Sequence, residues 1–183
     1  MCKRNSFRLF EIVILLLLAC SGVSSANAAM DLRSSAFPPN GTIPTQFTCS
    51  GEGKSPPLVW SGVPPSAISL VLIVSDPDAP MGNFVHWVVF NIPASMTSLP
   101  EAISSDRKTS FGAIQGVSSN GETGYMGPCP PPTGYHHYHF RLYALDQKLS
   151  VNPNAGAGQV KAAMRGHIVG EAELVGIFAR PLF

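Results

Sequence analysis

Short apolar runs broken at close intervals by proline and glycine limit what this chain can fold into more than any other feature. Ser69–Ser75 (SLVLIVS) is β-branched and bounded by turn signals, as a buried strand is. Val85–Ile92 (VHWVVFNI) reads the same way, and Tyr138–Leu145 (YHFRLYAL) alternates more clearly. Pro56–Trp60 (PPLVW) is expected as an edge strand, because proline cannot donate to a ladder. Ala172–Arg180 (AELVGIFAR) returns to strand character. Only Gln159–His167 shows helical spacing, with Val160, Ala163, Met164 and His167 in phase and Gly166 near the stop. Seventeen prolines and seventeen glycines supply the turns, and there is no internal repeat or low-complexity linker. The expected fold is mostly β, a sandwich-like packing of sheets with one or two short helices.

The first 28 residues stand apart. Lys3, Arg4 and Arg8 precede an apolar run, Ile12–Ala19, that is too short to span a bilayer, and Ala26-Asn27-Ala28 forms an A-x-A cleavage site. The preferred reading is a signal peptide over residues 1–28 and one domain over residues 29–183, periplasmic or secreted. The alternative exit is a lipobox, Leu17-Leu18-Ala19-Cys20, with Cys20 as a lipid anchor. Cleavage after Ala28 leaves 155 residues with 9 Lys+Arg against 10 Asp+Glu. That balance offers no basic stripe for nucleic acid. Of four cysteines, Cys49 and Cys129 remain, a pair that in an oxidising compartment suggests one disulfide.

Ionisable residues gather in three places. Leu70, Leu72, Val74 and Asp76 share strand parity, so Asp76 emerges where the core face of its strand ends, inside the turn SDPDAP. Further on, His136, Tyr138, Phe140 and Leu142 share one face, while His137, His139, Arg141 and Tyr143 share the other. The apolar partners mark the first face as buried, so His136 and Tyr138 are expected at the rim of a buried surface, in need of polar partners. His137 and His139 are read as solvent-facing. His86 lies in an apolar strand, on the parity of Phe84 and Val88. Singly, each is an ordinary turn or core residue; together they form an anion-capable group beside a proline-walled loop.

The motifs SDPDAP (Ser75–Pro80), HWVVFNIP (His86–Pro93) and GPCPPPTGYHHYHFRLYALD (Gly127–Asp146) resemble the phosphatidylethanolamine-binding protein family in order and spacing. With the C-terminal VKAAMRGHIVGEAELVGIFAR, the likeness is to its bacterial and archaeal, Raf kinase inhibitor-like branch, and runs from about Phe37 to Arg180. The resemblance implies a large central sheet packed on a smaller one, and a small cavity for phosphate or a phosphorylated head group. Matched by motif, its ligand-binding residues are Asp76, Asp78, His86, Pro130, His136 and Tyr138, and Ala79–Pro80 is a cis bond. It implies no metal or cofactor, and bacterial relatives suggest a homodimer.

The resulting expectation is a non-enzymatic binding protein for a small anionic ligand, with protonated imidazoles and the Tyr138 hydroxyl donating to phosphate oxygens. Two other classes compete with it. Asp76, His86 and His136 can be read as a two-histidine, one-carboxylate site of a metal-dependent hydrolase, although no G-x-S-x-G elbow accompanies them. An extracytoplasmic protease or kinase inhibitor acting on a protein partner is the third.

Overall fold

Eight consecutive residues, Ser69–Asp76, are buried without exception. Burial on both faces marks an interior strand, and this one lies in the middle of the larger of two sheets. The computed structural model describes residues 29–181. The segment read as a leader, with Cys20, lies outside them. In chain order the strands are β1 (Asp31–Arg33), β2 (Gly41–Thr42), β3 (Leu58–Ser61), β4 (Ser69–Asp76), β5 (Phe84–Pro93), β6 (Ser98–Leu99), β7 (Ile114–Gln115), β8 (His136–Leu145) and β9 (Ile168–Phe178). One α-helix, α1 (Ala157–Met164), precedes β9.

The large sheet has the order β2-β9-β8-β4-β5-β7, and the small one β1-β3-β6. Strand parity sorts the side chains of β4 to two cores. Leu70, Leu72 and Val74 enter a cluster shared with Leu32, Leu58, Trp60 and Leu99 of the small sheet. Val71 and Ile73 enter a second cluster that Val160 and Met164 of α1 cover. Both faces of the central strand are thus dry, as the mostly β, two-sheet expectation requires.

The β4–β5 ladder is irregular at two points, and each re-aims a polar side chain of β5. Leu70 pairs with Ile92 but Leu72 with Val89, which leaves an extra residue near Asn91, held at φ 59. Its side chain settles the bulge by donating to the Leu149 carbonyl (2.9 Å) and accepting the Leu149 N–H (2.7 Å). Nearer the start of β5, Val74 pairs with Trp87 but Ser75 with Val85. His86 is the surplus residue there, and the bulge turns both it and Trp87 inward. His86 therefore leaves the face of Val88, which lies in the second cluster, and the parity expected from sequence fails at that point.

Two further expectations are corrected. The strand at Pro56–Trp60 is not an edge: β3 lies between β1 and β6, and the prolines precede the strand, so their missing donors disturb no ladder. No peptide bond among the described residues is cis, so Ala79–Pro80 is trans. That turn closes through the Gly82 N–H to the Ala79 carbonyl (2.9 Å), with Gly82 at φ 91 supplying the reversal.

The loop before β8 is fastened to the segment after β2. Cys49 and Cys129, 80 residues apart, form a disulfide. Beside it the Cys49 N–H donates to the Pro128 carbonyl (3.0 Å) and the Tyr125 hydroxyl to the Phe47 carbonyl (3.0 Å). The backbones approach so closely that a Cβ on Gly127 would stand 2.9 Å from the Phe47 oxygen.

On the far side of β5, Gln115 is fully buried. Its Oε1 accepts the Trp87 indole N–H (2.7 Å), and its Nε2 donates to the Ser104 (2.7 Å) and Asp106 (2.6 Å) carbonyls. Gln115→Leu orphans the buried Trp87 indole N–H, at about 1–3 kcal/mol, and also removes the two part-buried bonds to the Ser104 and Asp106 carbonyls, at about 0.5–1.5 kcal/mol each. Urea unfolding is expected to show a loss of about 3 kcal/mol or more; a loss below about 1 kcal/mol would refute the role given to Gln115.

Candidate functional site

The turn after β4 and the start of β8 meet through four side chains. Asp76 is 3% exposed and His136 6%, and His136 Nδ1 donates to Asp76 Oδ2 at 2.7 Å. The other Asp76 oxygen accepts the Asp78 N–H at 2.8 Å, which shapes the turn. Asp78 lies on the opposite side of the sheet, where its Oδ2 accepts both the N–H (2.8 Å) and the ring Nδ1–H (2.7 Å) of His137. Proline between the two aspartates stiffens this arrangement. One carboxylate takes the inward histidine and the other takes the outward one.

His86, delivered by its bulge, stands opposite His136. Its Nδ1 donates to the Met126 carbonyl at 2.9 Å, while the Met126 N–H returns a bond to the His86 carbonyl at 3.0 Å. A carbonyl can only accept, so Nδ1 carries the proton and Nε2 of the neutral ring is an acceptor. Burial, aided by the nearby His136, holds the His86 pKa below its ordinary 6.5, against the opposing pull of the Met126 bond and Asp76. Around neutral pH the ring is uncharged.

Tyr138 follows two residues after His136 on the same face. It is fully buried, and its ring meets His86 edge-on at 5.2 Å between centroids. Its hydroxyl is buried with no partner among the described residues. Burial raises its pKa, as do the charges of Asp76 and Asp78, so the group remains a neutral donor and acceptor.

Above these residues opens a cavity of about 170 Å³. Asp76, His86 and His136 supply its polar wall; Phe84, Met126, Pro130 and Pro131 supply much of the rest. The volume equals that of roughly five or six waters at about 30 Å³ each, well short of a drug-sized site.

Of the residues expected from sequence, Asp76, His86, Pro130 and His136 reach this cavity. Asp78 does not, because its carboxylate is turned outward onto His137. Tyr138 lies beneath His86, within the core, rather than at the rim. Pro131 joins Pro130 in the wall, as the proline-walled loop led one to expect, whereas sequence reasoning missed Phe84 and Met126. Phe84 could have been found from its parity with His86; Met126 sits in a loop with no periodic signal. His139 lies on the outer face as expected, bound through Nδ1 to Glu173 at 2.7 Å.

Metal binding through Asp76, His86 and His136 fits poorly, since both oxygens of Asp76 are already engaged. Among the described residues no group of three or more His, Cys, Asp and Glu is placed to hold a metal ion. A larger hollow, about 400 Å³, lies over Arg141, Glu171 and Glu173. Its cation is already engaged, Arg141 Nε standing 2.7 Å from Glu173 Oε1.

Two of the perturbed groups, His86 and Asp78, make the protein acid-sensitive with the same sign. His86 ionises less readily folded than unfolded, so its contribution to stability is lost as pH falls below 6.5. The His137 hydrogen bonds hold the Asp78 pKa below its ordinary 3.8, so that contribution fades as pH falls below 3.8. Urea midpoints are expected to decline in two stages on acidification. His86→Phe should remove the first stage and Asp78→Asn should shrink the second. Glu173, held below its ordinary 4.5 against burial by the His139 hydrogen bond and Arg141, also contributes to the second. Persistence of both stages at full size in both variants would refute the assignment.

A family model for phosphatidylethanolamine-binding protein matches residues 33–179. A UPF0098 protein of Methanothermobacter thermautotrophicus is 49% identical over 151 residues, covering 82% of this chain and 99% of its own. Another, from Pyrococcus horikoshii, is 42% identical over 170 residues, covering 91% and 85%. The crystal structure of a phosphatidylethanolamine-binding protein homologue, CT736 of Chlamydia trachomatis, superposes with TM-score 0.77 at 42% identity, covering 84% of this chain and 99% of that one. E. coli YbcL, a member of the mammalian family by its crystal structure, gives TM-score 0.78 at 32% identity, covering 84% and 100%. Sequence motifs, paired sheets and these relatives agree, and the chain belongs to the phosphatidylethanolamine-binding protein family.

Proposed function

We propose that this chain is an exported, non-enzymatic binding protein whose cavity takes a small phosphoryl anion, free or as part of a head group. The observation that carries the reading is the pairing of His86 and His136 in the cavity wall. Each has Nδ1 fixed by an acceptor, so each has Nε2 left for a ligand. The Tyr138 hydroxyl behind them is buried and has no partner among the described residues. A neutral His86 changes the recognition expected from protonated imidazoles alone. Its Nε2 asks for a donor, and a hydrogen phosphate carries both a P–OH to give and oxygens to accept. The cavity volume suits a ligand of that size, and the proline wall is already rigid, which limits the entropy lost on binding. The paired Asp76 carboxylate acts through His136 rather than on the anion.

Calorimetric titration with inorganic phosphate tests this. His136→Ala is expected to weaken binding by about 10- to 150-fold, the equivalent of a hydrogen bond to a charged group at about 1.5–3 kcal/mol. His137→Ala, on the outer face, should leave it within twofold or so. Sulfate, which has no proton to give, is expected to bind more weakly than phosphate at pH 7. The gap should narrow well below pH 6.5, as His86 gains a proton. Equal losses in the two variants, or sulfate preferred at pH 7, would overturn the reading.

The exported location rests on the leader-like residues 1–28 and on a disulfide of the kind that oxidising compartments preserve. Mass spectrometry of the native protein is expected to find Ala29 as the first residue. A diacylglyceryl group on Cys20 would instead place the protein on a membrane surface.

A further inference from the structure

The covalent bond at the cavity is one that solvent reaches. Cys49 and Cys129 are both exposed, and Cys129 stands in the cavity wall next to the buried Pro130. Thiolates attack accessible disulfides readily and shielded ones slowly. The two sulfurs are not equivalent, because Arg180 Nη1 lies 3.8 Å from Cys129 Sγ. A guanidinium there favours a thiolate, which makes Cys129 the better leaving group.

The wall has few other fastenings. Pro128, Pro130, Pro131 and Pro132 have no N–H, so this stretch cannot be held by a ladder of donors. Among the described residues, what remains is the Cys49 N–H on Pro128, the Tyr125 hydroxyl on Phe47 and the reciprocal pair between Met126 and His86. The last of these also sets the tautomer of His86. Tension or release at Cys129 therefore reaches both the wall and an imidazole of the site.

We propose that Cys49–Cys129 is a thiol-reactive latch on the cavity. A low-molecular-weight thiol opens it by attack on Cys49, freeing the Met126–Pro131 wall and weakening ligand binding. The inference rests on the anion-pocket reading. In the first step the incoming thiolate sulfur bonds to Cys49 Sγ, the Cys49–Cys129 bond breaks, and its electron pair leaves on Cys129 Sγ beside Arg180. In the second, another thiolate attacks the external sulfur of the mixed disulfide, releasing a small-molecule disulfide and the Cys49 thiolate. Two thiols are oxidised and one protein disulfide is reduced. Oxidation of the two cysteines by a small-molecule disulfide runs the steps in reverse and closes the latch.

The test compares oxidised protein with protein equilibrated against glutathione, and with the Cys49→Ser/Cys129→Ser double variant. Calorimetry with inorganic phosphate is expected to show affinity lower by at least about tenfold in the open forms. Trapped adducts should map to Cys49. Amide exchange should quicken at Cys49 and Met126 while Leu72 in the central strand stays protected. Equal phosphate affinity in oxidised and reduced protein would overturn the latch, as would adducts on Cys129 or loss of protection at Leu72, which means global unfolding. Should the oxidised protein bind no phosphate, the anion-pocket reading fails by itself. Exchange then decides the latch: quickened at Cys49 and Met126 sustains it, unchanged refutes it.

Discussion

Two carboxylates, separated by one proline, hold two consecutive imidazoles from opposite faces of a sheet. Asp76 reaches His136 on the inner face and Asp78 reaches His137 on the outer. Because successive strand residues alternate, no slip of β8 by one position could satisfy both. The arrangement fixes the register where β4 and β8 part company, and it does so at the point where the cavity begins. A nearly dry carboxylate would be costly alone; it is tolerated because an imidazole and a backbone amide occupy its oxygens. The cavity's polar character follows from that pairing, since it orients the one histidine that β8 contributes.

The opposite wall is built by a different device. A bulge in β5 turns His86 inward beside Trp87, and a loop carbonyl fixes its ring. One histidine is therefore held by a charge and the other by a neutral dipole. That difference gives the two walls different demands on a ligand, so the site is not the uniformly cationic nest that a count of histidines suggests. Tyr138 sits behind His86 as a third polar group whose needs none of the described residues meets.

Much of this was legible in the sequence because it depends on period-two alternation. β8 obeyed it along its length: His136, Tyr138, Phe140 and Leu142 face in, and His137, His139, Arg141 and Tyr143 face out. The run SLVLIVS announced a central strand, and the disulfide followed from two leftover cysteines. Misreadings came where alternation is interrupted or where direction is set by a turn. His86 keeps the face of Phe84 but not that of Val88, because a bulge depends on pairing with a strand outside the local sequence. Asp78 was placed in the cavity because a motif gives proximity but not the side of the sheet. A cis bond at Pro80 was expected by likeness, whereas the neighbouring Gly82 reverses the chain with a trans bond. Met126 enters the site by a backbone contact with His86, which no side-chain pattern reveals.

The middle position of β4 carries a consequence for how the molecule comes into being. Its hairpin partner β5 follows within a few residues, but β8, which completes its other edge, emerges from the ribosome some 60 residues later. During that interval a strand destined to be dry on both faces presents an apolar row and an open line of amides and carbonyls. Such an edge is a template for pairing with the wrong chain. The prolines on both sides, at 64, 65, 77 and 80, cannot extend that template. They confine the sticky segment to one short strand, so the residues that frame the finished sheet also guard the unfinished one.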